Sequence, residues 1–173
     1  MINNEIHSAR DVVKADTFAL DAFRSAFGPL GIVDANGSVV IYRSDKRRLP
    51  PFKNADFLAL PRVDVSFAYA GADGAEIDAF VAAGCRGIVL AAMAPGTCAP
   101  AQLEALGRAA CKGVMVIFST RAGCGRVLDH AVLQERGFIP ADNLTPQKAR
   151  ILLMLAIASG LSREQIGEQF RLR

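Results

Sequence analysis

No stretch of the sequence approaches the roughly 18 consecutive apolar residues that a membrane-spanning helix needs, so no membrane association is expected. The opening Met1-Ile2-Asn3-Asn4-Glu5 lacks the basic start and apolar run of a secretory signal, which makes the cytoplasm the expected location. Cysteine is sparse: Cys85, Cys98, Cys111 and Cys124 never form a Cys-x-x-Cys pair, which argues against zinc. They fall at equal intervals, but their flanking residues do not repeat, so the spacing reads as coincidence. Without an export signal, free thiols are the default. His7 and His130 are the only histidines, and neither lies in a hydrolase or metal motif; no metal is expected. A nucleotide-binding glycine fingerprint and a phosphate loop are both missing, so no cofactor is expected. Charge of one sign is also missing: the net +3 is spread along the chain. Its densest basic cluster, Arg43, Lys46, Arg47 and Arg48, runs into Leu49-Pro50-Pro51 and reads as a solvated linker rather than a nucleic-acid surface.

What is present suffices for a core. Of the 173 residues, 51% are hydrophobic and 21% charged, which bounds the chain at one domain, or one domain with an extension. Residues 2–9 read as a strand, 10–16 as a loop, and 18–27 as a loosely helical segment with Phe18, Leu20, Phe23 and Phe27 apolar. Gly28-Pro29-Leu30-Gly31 is a turn. Ile32-Val33 and Val39-Val40-Ile41-Tyr42, joined through Asn36-Gly37, predict a β-hairpin. Residues 43–60, rich in proline and charge, form the candidate linker.

From residue 61 the pattern changes. Strands are expected at 63–67, 87–92 and 114–118, with helices at 75–83 and 101–112 between them. Strand–helix–strand alternation implies parallel strands joined by right-handed crossovers. The expected class is therefore α/β, a small parallel sheet flanked by helices and preceded by a β-hairpin extension. The division is 1–42 extension, 43–60 linker and 61–173 α/β domain. Ligands in such sheets bind beyond the carboxyl ends of the strands. Loops 68–73, 93–99 and 119–125 occupy that edge. Two helices, 146–159 and 163–170, close the chain. The first has Thr145 as a candidate N-cap and Pro146 at the first helical position, then an apolar run that predicts a mostly buried helix.

This closing segment, Leu144-Thr145-Pro146-Gln147-Lys148-Ala149-Arg150, resembles the Leu-Asn-Pro-x-x-Ala-Arg helix of the bacterial L-asparaginases. Other segments are similar in the same order: Arg10-Asp11-Val12 with Lys14, Gly28-Pro29-Leu30-Gly31, Leu60-Pro61-Arg62-Val63, Gly87-Ile88-Val89, and Ser119-Thr120-Arg121 with Gly123 and Gly125. The resemblance covers nearly the whole chain. It implies the family's C-terminal domain preceded by the end of its N-terminal domain. It also implies hydrolysis of L-asparagine to L-aspartate and ammonia, with sites shared between subunits and hence a homo-oligomer.

The family's nucleophile lies in a Thr-Gly-Gly-Thr motif, with a second threonine–aspartate pair and a lysine. This sequence has neither Thr-Gly-Gly-Thr nor Gly-Thr-Asp-Thr, and its only threonines are Thr17, Thr97, Thr120 and Thr145. The family's catalytic residues therefore transfer to no position here. Two substrate contacts of the C-terminal domain can be sought. A polar residue after the second strand corresponds to Thr97, beside Gly96. A glutamate that holds the substrate's amino group falls on Val132, with Asp129 and Glu135 as nearby carboxylates if the loop is shifted. Arg121 can hold a substrate carboxylate. Each residue also has a plainer reading: Thr97 as a loop hydroxyl bonded to backbone, Asp129 and Glu135 as solvated charges, and Arg121 as a loop staple paired with an internal acid.

Three functions follow from the resemblance, and the first is the expected one, with a binding or assembly module as the alternative. One is a short-form L-asparaginase whose nucleophile is drawn from Thr97, Ser119 or Thr120, served by Asp129, His130 or a lysine. Another is a non-catalytic module that binds a small amino acid. The third is a structural half that assembles with a separately encoded N-terminal domain.

Overall fold

The structure, a computed structural model, describes residues 1–44, 52 and 55–172. The chain divides into two compact units, Met1–Leu49 and Pro50–Arg173.

The first unit is built from short antiparallel strands. β1 (Glu5–Ile6), β4 (Gly31–Val33) and β5 (Val39–Ile41) form a three-stranded sheet in the order β1-β4-β5. β2 (Val12–Lys14) and β3 (Phe23–Ser25) pair separately. The expected hairpin is present, with Ile32 opposite Val40. Its turn is centred one residue earlier than a two-residue Asn-Gly loop. The Gly37 N–H donates to the Asp34 carbonyl, and Gly37 alone takes the left-handed conformation, at φ 84°.

Three expectations need correction in this unit. The strand over 2–9 contracts to Glu5–Ile6, and the loop over 10–16 contains β2. The helix over 18–27 does not form; β3 occupies its second half. The cause is local. The Asp16 carboxylate accepts the N–H groups of Phe18 and Ala19, both at 2.8 Å, fixing a turn that competes with a helix. These bonds also hold the Asp16 carboxyl below its ordinary pKa. Phe18 and Leu20 are 92% and 97% exposed, so this segment buries no apolar stripe.

The second unit is a four-stranded parallel sheet in the order β6-β7-β8-β9. Along the chain, β6 (Val63–Phe67) leads through α1 (Ala75–Ala82) to β7 (Gly87–Ala92), and α2 (Pro100–Cys111) leads to β8 (Met115–Thr120). Next come α3 (Ala131–Arg136), β9 (Ile139–Pro140), α4 (Pro146–Ala158) and α5 (Arg163–Leu172). Every residue of β7 is buried, as a central parallel strand requires. Because side chains alternate, Ile88, Leu90 and Ala92 face one core with Val116 and Phe118, packed with Ile77, Leu106 and Leu133. Val89 and Ile117 face the other, packed with Leu152, Leu153, Ile166 and Phe170.

Sequence patterning did not reveal α3 and β9, of six and two residues, which are too short to show a period. Helix α4 departs from a mostly buried helix. It buries Pro146, Ala149, Leu152, Leu153 and Ala156, while Ile151 is exposed, so the apolar run is sided. Thr145 occupies the N-cap position with extended backbone, yet its side chain makes no capping bond. The preset φ of Pro146 at the first helical position suits the helix start. Arg150, from the motif that opens α4, donates from Nε to the Val63 carbonyl at 2.6 Å, stapling this helix to β6.

Candidate active site at the carboxyl edge of the sheet

The parallel strands deliver three loops to one edge, and the third binds the other two. After β8, the Arg121 N–H donates to the Ala92 carbonyl at 2.9 Å, and Arg121 Nη1 donates to the Ala68 carbonyl at 2.7 Å. Arg121 thus holds the loop after β6 to the loop after β8. The loop-stapling role is served, through a carbonyl rather than through the acid expected.

The loop after β7 folds on itself. Met93 and Thr97 exchange main-chain hydrogen bonds in both directions, at 2.9 and 2.8 Å. Gly96, at φ 132°, adopts a conformation that favours glycine, and it is buried. A Cβ there would lie 2.9 Å from Val127 Cγ1, so Val127 of the third loop packs directly over this glycine. His130 Nε2 lies 3.4 Å from the Gly96 carbonyl. The structure thereby brings Gly96 and Thr97 together with the Val127–His130 segment and leaves Thr97 exposed. Asp129 is exposed on that segment, and Val132 is 40% exposed on α3.

The hydroxyls of β8 are differently placed. Ser119 is fully buried, and its Oγ donates to the Leu144 carbonyl at 2.6 Å. Thr120, 7% exposed, accepts the Ala122 N–H at 3.1 Å. Both serve main-chain groups, and neither bond is to a carboxylate or imidazole that would activate a nucleophile. Glu135 is not part of this edge cluster. It sits near the end of α3 and lines a separate cleft with Arg108 and Lys112 of the α2 end. Cys98, next to Thr97, is held as a thiol, because burial pushes its pKa up to about 11. Among the described residues no group of three or more His, Cys, Asp or Glu side chains is placed to hold a metal ion.

One polar cluster went unnoticed in the sequence. Ser66 Oγ donates to Glu76 Oε1 at 2.7 Å, and the fully buried Gln102 reaches Ser66 Oγ, the Phe67 carbonyl and Glu76 Oε1 at 3.0–3.1 Å. It ties β6, α1 and α2 together beneath the first loop. The three residues are 36 positions apart at most, with nothing local to link them. A glutamine in an otherwise apolar helix face was the only available signal.

A parallel α/β sheet covered on both faces, with its loops gathered at the carboxyl edge, has the architecture in which ligands generally bind beyond the strand ends. Residues 62–170 match the glutaminase/asparaginase C-terminal domain, and the chain belongs to that family. It is 33% identical over 175 residues to L-asparaginase 2 of Bacillus subtilis, covering 98% of this chain and 46% of that protein. It is 34% identical over 175 residues to the probable periplasmic L-asparaginase of Haemophilus influenzae, covering 98% and 50%. The crystal structure of the probable cytoplasmic L-asparaginase from Campylobacter jejuni superimposes with a TM-score of 0.93 at 35% identity, covering 99% of this chain and 56% of that one. The chain thus spans about half the length of these relatives. No helix among the described residues is long and apolar enough to cross a membrane.

Proposed function

We propose that this chain is the C-terminal part of an L-asparaginase-type amidohydrolase, working on L-asparagine in the cytoplasm. Its role is to present substrate-binding loops to a catalytic centre whose nucleophile comes from outside the chain. In the overall reaction, water adds to the side-chain amide carbon, the C–N bond breaks, and ammonia leaves with L-aspartate as the other product. One observation carries this reading. Thr97 is an exposed hydroxyl on a loop fixed by Gly96, Val127 and His130, whereas Ser119 and Thr120 are buried and committed to main-chain groups. The edge is thus prepared to bind, and the hydroxyls best placed in sequence for attack are spent on structure. Arg121 contributes by holding the loops, and Asp129 is the exposed carboxylate on the segment that packs over Gly96. Glu135, drawn away to another cleft, takes no part.

The test is co-expression of this chain with the N-terminal half of a family enzyme, followed by co-purification and an ammonia assay. The account expects a complex that turns over L-asparagine. Failure of every such pairing, together with turnover by the isolated chain, would instead establish the self-sufficient short form. A second reading, a binding module without chemistry, is favoured by the absence of the family's threonine motifs. Calorimetric titration separates it: L-asparagine and L-aspartate would bind the isolated chain, with no ammonia released in any assembly.

A further inference from the structure

Away from the carboxyl edge, a cleft of about 710 Å³ opens between the end of α2, the end of α3 and the start of α5. Four basic side chains line it, Arg108, Lys112, Arg136 and Arg163, against two acids, Glu104 and Glu135. Two of the arginines occupy space that glycine leaves. A Cβ on Gly107, in the interior of α2, would lie 2.9 Å from Arg136 Nη1. A Cβ on Gly137, which ends α3 at φ 65°, would lie 2.5 Å from Arg163 Nη1. Gly107 is costly in a helix interior, so the room it gives Arg136 offsets a real penalty. Both forks are held rather than loose: Arg136 Nη2 pairs with Glu104 Oε1 at 2.5 Å, and Arg163 Nη1 donates to the Gly137 carbonyl at 2.9 Å.

We infer that this cleft is a binding site for a small oxyanion, either a phosphate group or the carboxylates of a small diacid. Arg108 is paired with Asp78 at 2.6 Å, so Lys112, Arg136 and Arg163 against Glu104 and Glu135 leave the excess of positive charge that attracts an anion, and guanidinium forks match the planar spacing of oxyanion oxygens. Pre-ordering by Glu104 and the Gly137 carbonyl lowers the cost of fixing the forks when a ligand arrives. Helix α3 links the cleft to the carboxyl edge: His130, at its start, faces Gly96, and Arg136, its last residue, is close enough to Cys98 to act on its thiol electrostatically.

The test is calorimetric titration of the full chain with inorganic phosphate and, separately, with malonate, a diacid that lacks the amino group of the proposed substrate, at about 0.15 M salt, where weak surface attraction is screened. Saturable binding of at least one ligand is expected, and the tighter of the two identifies the anion class. Arg163→Ala should weaken it by about tenfold, since a charge-assisted fork is lost. Gly107→Ala separates binding from folding. It should raise the melting temperature, because alanine favours helix and the displaced atom is the tip of a flexible side chain, yet weaken anion binding severalfold. Absence of saturable binding by the wild-type chain, or affinity unchanged in both variants, would overturn the assignment.

Discussion

The two units were built by different means. In Pro50–Arg173, a parallel sheet is covered on both faces, and its large side chains Ile88, Leu90, Ile117, Phe118, Leu153 and Phe170 are at most 1% exposed. In Met1–Leu49, strands of two or three residues pair in small antiparallel sheets, while Phe18, Leu20, Phe27, Val39, Ile41 and Tyr42 stay more than half exposed. Sheets of that size need a partner surface for independent stability. The second unit carries its own core, and the first displays its apolar residues outward. The chain matches about half the length of each relative.

The sharpest way to break this comparison is to cut the two kinds of apolar residue. Leu153→Ala should lower stability by about 3 kcal/mol in urea unfolding, because it empties a site fully buried between α4 and the sheet. Phe18→Ser and Leu20→Ser should each change stability by less than about 0.5 kcal/mol, as exposed substitutions do. Equal effects from the two sets would remove the distinction.

A smaller contrast lies within the site. Ser119→Ala leaves the buried Leu144 carbonyl without its donor and should cost about 1–3 kcal/mol of stability. Thr97→Ala should leave the melting temperature almost unchanged. In an active assembly it should cut turnover at least about tenfold, equivalent to ~1.4 kcal/mol of lost transition-state binding. Near-wild-type turnover would remove Thr97 from the site.

The smallest expected effect concerns pH. Burial disfavours the Cys98 thiolate and pushes its pKa up from an ordinary thiol's 9.0 to about 11. The unfolded chain therefore releases this proton first as pH rises. The stabilisation is fully present below pH 9 and is lost between 9 and about 11. Cys98→Ala should flatten the decline of stability across that window. At neutral pH, exposed Cys111 and Cys124 should alkylate well before Cys98, as read by mass spectrometry.

How much of this was legible in the sequence follows the same division. The strands 87–92 and 114–118 were visible as apolar runs bounded by glycine, because a strand buried on both faces needs apolar residues at every position. The hairpin through Gly37 was legible from local turn chemistry. Segment 18–27 was not, since its apolar residues serve no helix face and an aspartate turn decides its course. At the site, the sequence located the three loops and singled out Gly96, Thr97 and Arg121. It was silent on Val127 packing over Gly96 and on the Ser66–Glu76–Gln102 cluster, both made by contacts distant along the chain. Glu135 was named from its closeness in sequence to Val132. Helix α3, not evident from the pattern, carries it toward Arg108 and Lys112 instead.

The most direct measurement is ammonia release from L-asparagine by this chain alone, purified from a host without its own asparaginases. The account predicts no turnover above background, because among the described residues the exposed Thr97 has no activating base in hydrogen-bonding contact and Ser119 and Thr120 are committed to the main chain. Turnover that survives purification to homogeneity and is abolished by a substitution at Thr97, Ser119, Thr120 or Asp129 would contradict it, placing the nucleophilic machinery within these 173 residues.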